Sequence, residues 1–113
     1  MPFINVKTNA SVSKEQCEKI KSQLGQAITA IPGKSEGWLM VGIEPEYTLY
    51  FKGSDVPAAI AEVSIYGNAS PAAMNDLTGQ ITGILTNQLG ISGDRVYVSY
   101  MCTPNWGWNG NNF

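Results

Sequence analysis

The sequence contains no histidine, so acid–base chemistry has to use another side chain or a chain terminus. Met1 is followed by Pro2, and initiator methionine is generally removed when proline follows. Pro2 would then carry a free secondary amine. Because an apolar pocket disfavours the charged form of an amine, burial would lower its pKa and make it a general base at neutral pH. Many proteins begin with this dipeptide and lack such chemistry, so its weight depends on the surrounding residues.

Two further features could bind a small molecule. Lys34 follows Pro32-Gly33, the pair that ends a predicted helix, and could hold a substrate carboxylate. A cation near a helix C terminus is also favourable without any ligand. The tail places Trp106, Trp108 and Phe113 among glycine and asparagine, a spacing that does not form a helix stripe. These aromatic residues could close a hydrophobic pocket or dock the tail on a neighbouring subunit.

The composition excludes several classes of protein. The 113 residues predict one domain over 1–113, and apolar residues at 43% are enough for a real core. A net charge of −2 offers no basic face for nucleic acid, and the apolar runs are too short for a membrane span. No secretory signal segment follows the start, so we expect a cytoplasmic protein. The lack of histidine removes most zinc and copper sites, and Cys17 and Cys102 are expected to be buried free thiols.

The elements that must position these residues form a repeat. Residues Phe3–Ile43 and Ala58–Met101 each read as strand, helix and strand. The predicted strands are Phe3–Lys7, Trp38–Ile43, Ala58–Tyr66 and Arg95–Met101, with a short extra strand over Tyr47–Phe51.

Both helices carry recognisable end signals. Ser13 and Gln16 form a potential capping box for the first helix, which Pro32-Gly33 ends. Ser70 caps the second helix, with Pro71 at its first position, and Gly90 fits the position after its last residue. Each helix then presents one apolar stripe to a sheet.

The predicted fold class is α/β: a tandem βαβ pseudo-repeat that gives a four-stranded mixed sheet with two helices on one face. The segments Trp38–Ile43 and Val96–Met101 carry apolar residues on both faces, but the helices cover only one. An open apolar face of that size is unusual on a monomer. Self-association that covers it is the simplest answer.

Several short motifs occur in a characteristic order from end to end of the chain. They are Met1-Pro2-Phe3-Ile4, Thr8-Asn9, Gly33-Lys34, Phe51-Lys52-Gly53-Ser54, Asp94-Arg95-Val96-Tyr97-Val98, Gly107-Trp108-Asn109-Gly110 and Phe113. In this order and spacing the chain resembles the macrophage migration inhibitory factor family of the tautomerase superfamily, in its microbial or protozoan type. The resemblance implies a homotrimer around a central channel, with short edge strands that extend into neighbouring subunits.

The same resemblance implies an isomerase that uses no cofactor and no metal. Its substrates would be aryl 2-keto acids, phenylpyruvate above all, and dopachrome esters. Pro2 matches the catalytic base, Lys34 the residue that holds the substrate carboxylate, and Tyr97 a tyrosine lent by the adjacent subunit. Trp108 and Phe113 match the pocket aromatics, and Trp38 falls where the family often has a tyrosine.

Three positions depart from the family pattern and concern substrate preference. Tyr66 falls where a backbone amide also binds the carboxylate, Ser99 where the far end of the substrate is met, and Trp106 where a smaller residue is usual. The CxxC motif of the mammalian protein falls on residues 58–61, which contain no cysteine, so thiol-oxidoreductase activity is not expected.

Two alternatives to this enzyme remain. The chain could be a cytokine-like ligand whose proline pocket is vestigial, with a receptor partner that the sequence does not identify and with export that needs no signal peptide. It could also catalyse decarboxylation or dehalogenation, which in this superfamily use an extra acid or arginine beside the proline. We expect Arg95, the only arginine, to point to the face opposite Tyr97.

Overall fold

A computed structural model describes all residues from Met1 to Phe113. It contains two α-helices, six strands and three short 3-10 turns. In chain order the helices and strands are β1 (Pro2–Thr8), α1 (Lys14–Ala27), β2 (Met40–Glu44), β3 (Ala59–Tyr66), α2 (Pro71–Leu89), β4 (Val96–Thr103), β5 (Gly107–Trp108) and β6 (Asn111–Asn112).

The main sheet has the strand order β2-β1-β3-β4. Strands β1 and β2 pair in parallel, as do β3 and β4, and the antiparallel pair β1–β3 joins the two halves. Each parallel pair is connected through one helix, as a βαβ crossover requires. The predicted tandem repeat and mixed four-stranded sheet are therefore confirmed.

The starts of both helices and the end of α2 follow the predicted signals, but α1 ends at Ala27, before the predicted Pro32-Gly33. The Ser13 hydroxyl accepts from the Gln16 amide while the Gln16 side chain accepts from the Ser13 amide, which completes the capping box. The helix α1 passes into a 3-10 turn over Ile28–Ala30 before the chain leaves it. Helix α2 has Ser70 as its N-cap and ends at Gly90, whose φ of 70° is left-handed.

Both helices pack on one face of the sheet. Alternate residues of β1 and β3 are buried, and they form one cluster with the apolar stripes of α1 and α2. The largest fully buried side chains in this core are those of Ile4, Ile20, Leu24, Ile28, Ile31, Ile65, Leu77, Ile81, Leu85 and Ile91. Burial of this apolar surface is the main force that holds the helices on the sheet.

On the opposite sheet face, the exposed large apolar side chains lie on the outer strands. Met40 on β2 is 67% exposed, and Tyr97 and Met101 on β4 are each 60% exposed. Between them the central strands carry the Lys7–Glu62 ion pair at 3.1 Å. The uncovered apolar surface that the sequence predicted therefore lies along the two edges of the sheet.

Two predicted strands and the expected burial of the cysteines differ from the structure. The strand that begins at Trp38 in the prediction begins at Met40, because Trp38 lies in the 3-10 turn Glu36–Trp38. The predicted strand Tyr47–Phe51 is wrong: this segment makes only an isolated bridge from Phe51 to Ser54. The cysteines are free as expected, but both are half-buried rather than buried.

No helix combines the length and apolar character that crossing a membrane would need. No cluster of three or more histidine, cysteine or acidic side chains has a geometry that could hold a metal ion.

Candidate active site

A cavity of about 330 Å³ lies at the end of the sheet where β1 begins. It is bounded by the start of β1, the 3-10 turn before β2 and the tail. Its lining is mostly apolar, contains no carboxylate, and comprises Met1, Pro2, Phe3, Gly37, Trp38, Leu39, Met40, Trp106, Gly107 and Trp108. The cavity is thus shaped for a small molecule with a flat apolar part.

Pro2 is the first residue of β1 and is buried opposite Ile65 of β3. Proline suits this position because the first residue of a strand need not donate to the ladder. With Met1 attached, the Pro2 nitrogen is part of a peptide bond and cannot act as a base. The base chemistry predicted for Pro2 therefore requires that Met1 be removed.

Met1 occupies the polar end of this cavity. Its carbonyl accepts a hydrogen bond of 3.0 Å from the backbone amide of Tyr66. The pKa of the Met1 amine lies below its ordinary value of 8.0, first because the amine is partly buried and then because the Lys34 charge and a Lys34 hydrogen bond are close. Any amine at this place is therefore biased towards its neutral form.

The turn that follows α1 brings Lys34 beside Met1, at the end of the cavity. Gly33 has a φ of 80°, and the Lys34 amide donates to the Ile31 carbonyl at 3.1 Å. The Lys34 ammonium donates to the Tyr66 carbonyl at 2.9 Å and stands 5.9 Å from the centre of the Tyr66 ring. It has no acidic partner within ion-pair distance, so its charge is available to an anionic ligand.

Aromatic side chains form a continuous wall from the cavity to this lysine. The Trp38 and Trp108 rings meet edge to face with centroids 5.1 Å apart. Phe113 stacks parallel to Trp108 at 6.4 Å and packs on Tyr66 at 5.3 Å. The contacts thus connect Trp38, Trp108, Phe113, Tyr66 and Lys34.

The tail reaches this wall because it folds into a hairpin. Strands β5 and β6 pair antiparallel, and the Phe113 amide donates to the Trp106 carbonyl at 3.0 Å. Between the strands Asn109 and Gly110 have φ values of 52° and 84°, as a type I′ turn requires. The sequence prediction missed this hairpin, although Asn-Gly between two short segments is a strong signal for one.

Trp106, which replaces a smaller residue of the family pattern, does line the cavity beside Pro2 and is half-buried. Its indole fills space that a smaller side chain would leave to the ligand. The cavity therefore narrows at this side.

Tyr97 and Ser99 do not join this cavity within one chain. Tyr97 pairs with Ile60 of β3, five residues before Ile65, the partner of Pro2, and five strand residues span about 17 Å. Ser99 pairs with Glu62, three residues and about 10 Å away along the same strand. Both side chains are exposed on β4, on the sheet face that the helices leave uncovered.

The prediction that Arg95 points to the face opposite Tyr97 is wrong. Residues two apart on a strand share a face, so alternation itself places them on the same side. Both residues line a second, smaller cavity of about 100 Å³ with Phe51 and Ala59. Arg95 belongs to the 3-10 turn Gly93–Arg95 that precedes β4.

The arrangement as a whole presents three kinds of group to a ligand: a proline nitrogen, an unpaired ammonium, and aromatic surface. A backbone amide, that of Tyr66, already binds a carbonyl oxygen at the polar end. Such a site can bind a flat aromatic anion and, once the proline nitrogen is an amine, can move a proton on it.

Comparison with known proteins gives consistent matches over the whole chain. The family model described as macrophage migration inhibitory factor matches residues 1–113. Mus musculus macrophage migration inhibitory factor is 33% identical over 118 residues, which cover 100% of this chain and 99% of the mouse protein. The crystal structure of Leishmania major MIF2 is 30% identical and has a TM-score of 0.94, covering 100% of this chain and 97% of that one.

Proposed function

The chain belongs to the macrophage migration inhibitory factor family, and we propose that it is a cofactor-independent keto–enol tautomerase of phenylpyruvate-type aryl 2-keto acids. The observation that supports the proposal is a cavity lined by Pro2 and tryptophan rings, with Lys34 beside Met1 at its end. A 2-keto acid with an aryl group offers a matching carboxylate and ring. Dopachrome esters, which keep the flat ring, are a second substrate class.

The proposed base is the Pro2 amine that removal of Met1 exposes. It takes a proton from the carbon next to the ketone, forming an N–H bond. The electron pair of the broken C–H bond becomes the C=C bond of the enol, while the π pair of the C=O bond moves to oxygen. The Pro2 ammonium then returns its proton to that oxygen and is again a free amine, and the reverse sequence converts the enol to the ketone. Substrate and product are isomers, so the reaction needs no oxidant, reductant or cofactor.

Burial and the nearby Lys34 charge support this role because both disfavour an ammonium at the start of β1. An amine at this place therefore has a lowered pKa, which favours its neutral form. A neutral amine whose pKa lies near the working pH is an effective general base.

Substrate orientation follows from the polar end of the cavity. The Lys34 ammonium and the Tyr66 amide, which binds the Met1 carbonyl in the structure, both donate to the carboxylate. The aryl ring lies among Trp38, Trp108 and Phe113, and Trp106 limits its size. Together these contacts set the carbon next to the ketone beside the Pro2 nitrogen.

We further propose that the active unit is a homotrimer. Tyr97 and Ser99 lie exposed and far from the Pro2 of their own chain, so they can complete only the site of an adjacent subunit. The exposed apolar edges at Met40 and Met101 supply surface for that contact. Light scattering at micromolar concentration should give a trimer mass, and a monomer mass would contradict this proposal.

The test of the reaction uses protein whose lack of Met1 has been shown by mass spectrometry. It should accelerate the loss of enol absorbance of phenylpyruvate, and Pro2→Gly should remove most of that rate. No acceleration with phenylpyruvate or 4-hydroxyphenylpyruvate would contradict the proposal. The outcome would then favour the alternative, a cytokine-like ligand, which so far rests on the names of relatives such as the mouse protein.

A further inference from the structure

The side chain of Arg95 donates hydrogen bonds to four backbone carbonyls. Its side chain donates to Pro57 at 3.0 Å, Phe51 at 3.2 Å, Ser54 at 3.1 Å and Val56 at 2.8 Å. Four of the five guanidinium N–H groups are thereby used. Arg95 is therefore not free to bind an anionic substrate, because its guanidinium binds the carbonyls of the loop over residues 51–57.

The loop it binds has little regular structure of its own. Phe51 and Ser54 exchange two backbone hydrogen bonds around Lys52 and Gly53, whose φ values are 53° and 73°. A positive φ is uncommon for a lysine and persists only where the surroundings hold it. Arg95 supplies such surroundings from one side of the loop. Asn9 supplies them from the other, since its amide group donates to the Asp55 carbonyl and accepts from the Ala58 amide.

Arg95 also acts on the side chain at the start of this loop. The guanidinium carbon lies 5.3 Å from the centre of the Phe51 ring. That ring meets the Tyr97 ring at 4.9 Å with an interplanar angle of 60°. Tyr97 is 60% exposed, and the Phe51 ring is its one aromatic contact within the chain.

We propose that Arg95 is a positioning residue for the proposed tautomerase reaction, which it serves by fixing Tyr97 through the Phe51 ring. The inference rests on the proposed function, in which Tyr97 completes the active site of the adjacent subunit. An arginine suits the task because its planar fork binds several carbonyls while its face lies on an aromatic ring. A lysine has one nitrogen and cannot do both.

The first test is a double-mutant cycle with Arg95→Lys and Tyr97→Ala, assayed with phenylpyruvate on protein that lacks Met1. Arg95→Lys alone should lower kcat/KM about tenfold, because small displacements of positioned groups have effects of this size or larger. In the Tyr97→Ala background the same change should alter kcat/KM by less than about twofold, since the group it positions is gone. The melting temperature should fall by a similar amount in both backgrounds.

Equal losses of kcat/KM in the two backgrounds would overturn the proposal, since they would show that Arg95 acts on folding rather than through Tyr97. Phe51→Leu is the second variant, because it removes the ring and keeps all four hydrogen bonds of Arg95 to carbonyls. It should reproduce the kinetic loss with a smaller fall in melting temperature. Wild-type kinetics in Phe51→Leu would also refute the proposal that Arg95 positions Tyr97 through the Phe51 ring.

Lys52→Gln is the matched control. Its ammonium stands 5.6 Å from the same Phe51 ring but makes no hydrogen bond to the loop carbonyls. The kcat/KM of the Lys52→Gln variant should stay within about twofold of wild type. A wild-type enzyme without activity would sink the proposed function together with this inference, whereas an active enzyme with an additive cycle would sink this inference alone.

Discussion

Replacing Lys34 with methionine should separate binding of the substrate from its conversion. Methionine keeps most of the chain length, so the packing under the ammonium is disturbed little. The variant loses the charged donor that lies 2.9 Å from the Tyr66 carbonyl and beside Met1. A hydrogen bond to a charged group contributes about 1.5–3 kcal/mol. Since about 1.4 kcal/mol corresponds to a factor of ten, KM for phenylpyruvate should rise about 10- to 150-fold.

The turnover number should change much less. The carboxylate is the same in the ground state and in the transition state, so Lys34 stabilises both and its loss appears in KM. We expect kcat to stay within about threefold of wild type at a pH where Pro2 is neutral.

The pH profile gives an independent signature of the same residue. Protonated Pro2 cannot accept a proton, so the rate falls as the pH drops through the pKa of this amine. In the structure the Lys34 charge disfavours the ammonium form of the Met1 amine. We expect it to lower the pKa of the Pro2 amine in the same way once Met1 is removed. Removing the charge raises the pKa, and the acid limb of kcat/KM should move to higher pH in Lys34→Met.

The assay is steady-state loss of enol absorbance over a range of substrate concentrations and pH. Lys19→Met is the control, because Lys19 lies on the outer face of α1 and pairs only with Glu15 at 3.4 Å. Its KM and acid limb should match wild type. A KM in Lys34→Met within about twofold of wild type, or a loss confined to kcat, would refute the assignment of the carboxylate to Lys34.

Two further predictions concern the parts that support the cavity. Gly110→Ala places a side chain at a φ of 84°, so it should lower the free energy of unfolding by about 1–2 kcal/mol, loosen the hairpin and raise KM. The control is Gly79→Ala, in open space on α2, which should be stabilising. Equal effects of the two changes on urea unfolding would contradict the turn argument. Tyr100→Phe removes the hydroxyl that donates to the Met74 carbonyl at 2.8 Å and should lower the free energy of unfolding by about 1 kcal/mol. Because burial raises the pKa of Tyr100, the wild type should lose this stabilisation as the pH rises above 10 while the variant does not, and parallel pH curves would contradict it.

The helices and the paired strands could be predicted because their signals are local. The capping box at Ser13, the Ser70-Pro71 start and the Gly90 end each satisfy backbone groups within a few residues. The apolar stripes then determine which face of each element is buried. These signals suffice for two βαβ units and for the mixed sheet.

The predicted strand Tyr47–Phe51 fails for a physical reason. Aromatic and β-branched residues show that a segment fits a pleated surface, but a strand also needs an unpaired edge beside it. Within one chain this segment finds none, and side chains of Asn9 and Arg95 bind its carbonyls and those of the loop after it. The sequence alone does not reveal that side chains, rather than a neighbouring strand, bind the carbonyls of this segment.

Motifs in the sequence identify candidate site residues but not their geometry. Pro2 and the tryptophans line one cavity, with Lys34 beside Met1 at its end, because β1, the turn after α1 and the tail hairpin end at one place. The position of Tyr97, far from Pro2 in its own chain, follows from the register of β3 and β4, which no motif specifies. The tail hairpin was recognisable from Asn109-Gly110, whose positive φ values explain why those residue types occur there.

The central claim is that a free Pro2 amine is the catalytic base, and Met1 allows it to be tested without altering any side chain. Two samples are compared: one from which Met1 has been removed, and one released from a fusion so that Met1 is retained, each verified by mass. In the retained form the Pro2 nitrogen is an amide, and the Met1 carbonyl holds the Tyr66 amide that is proposed to bind the carboxylate. We predict that phenylpyruvate is tautomerised by the first sample and not by the second above the uncatalysed rate. Equal rates in both samples would contradict the claim.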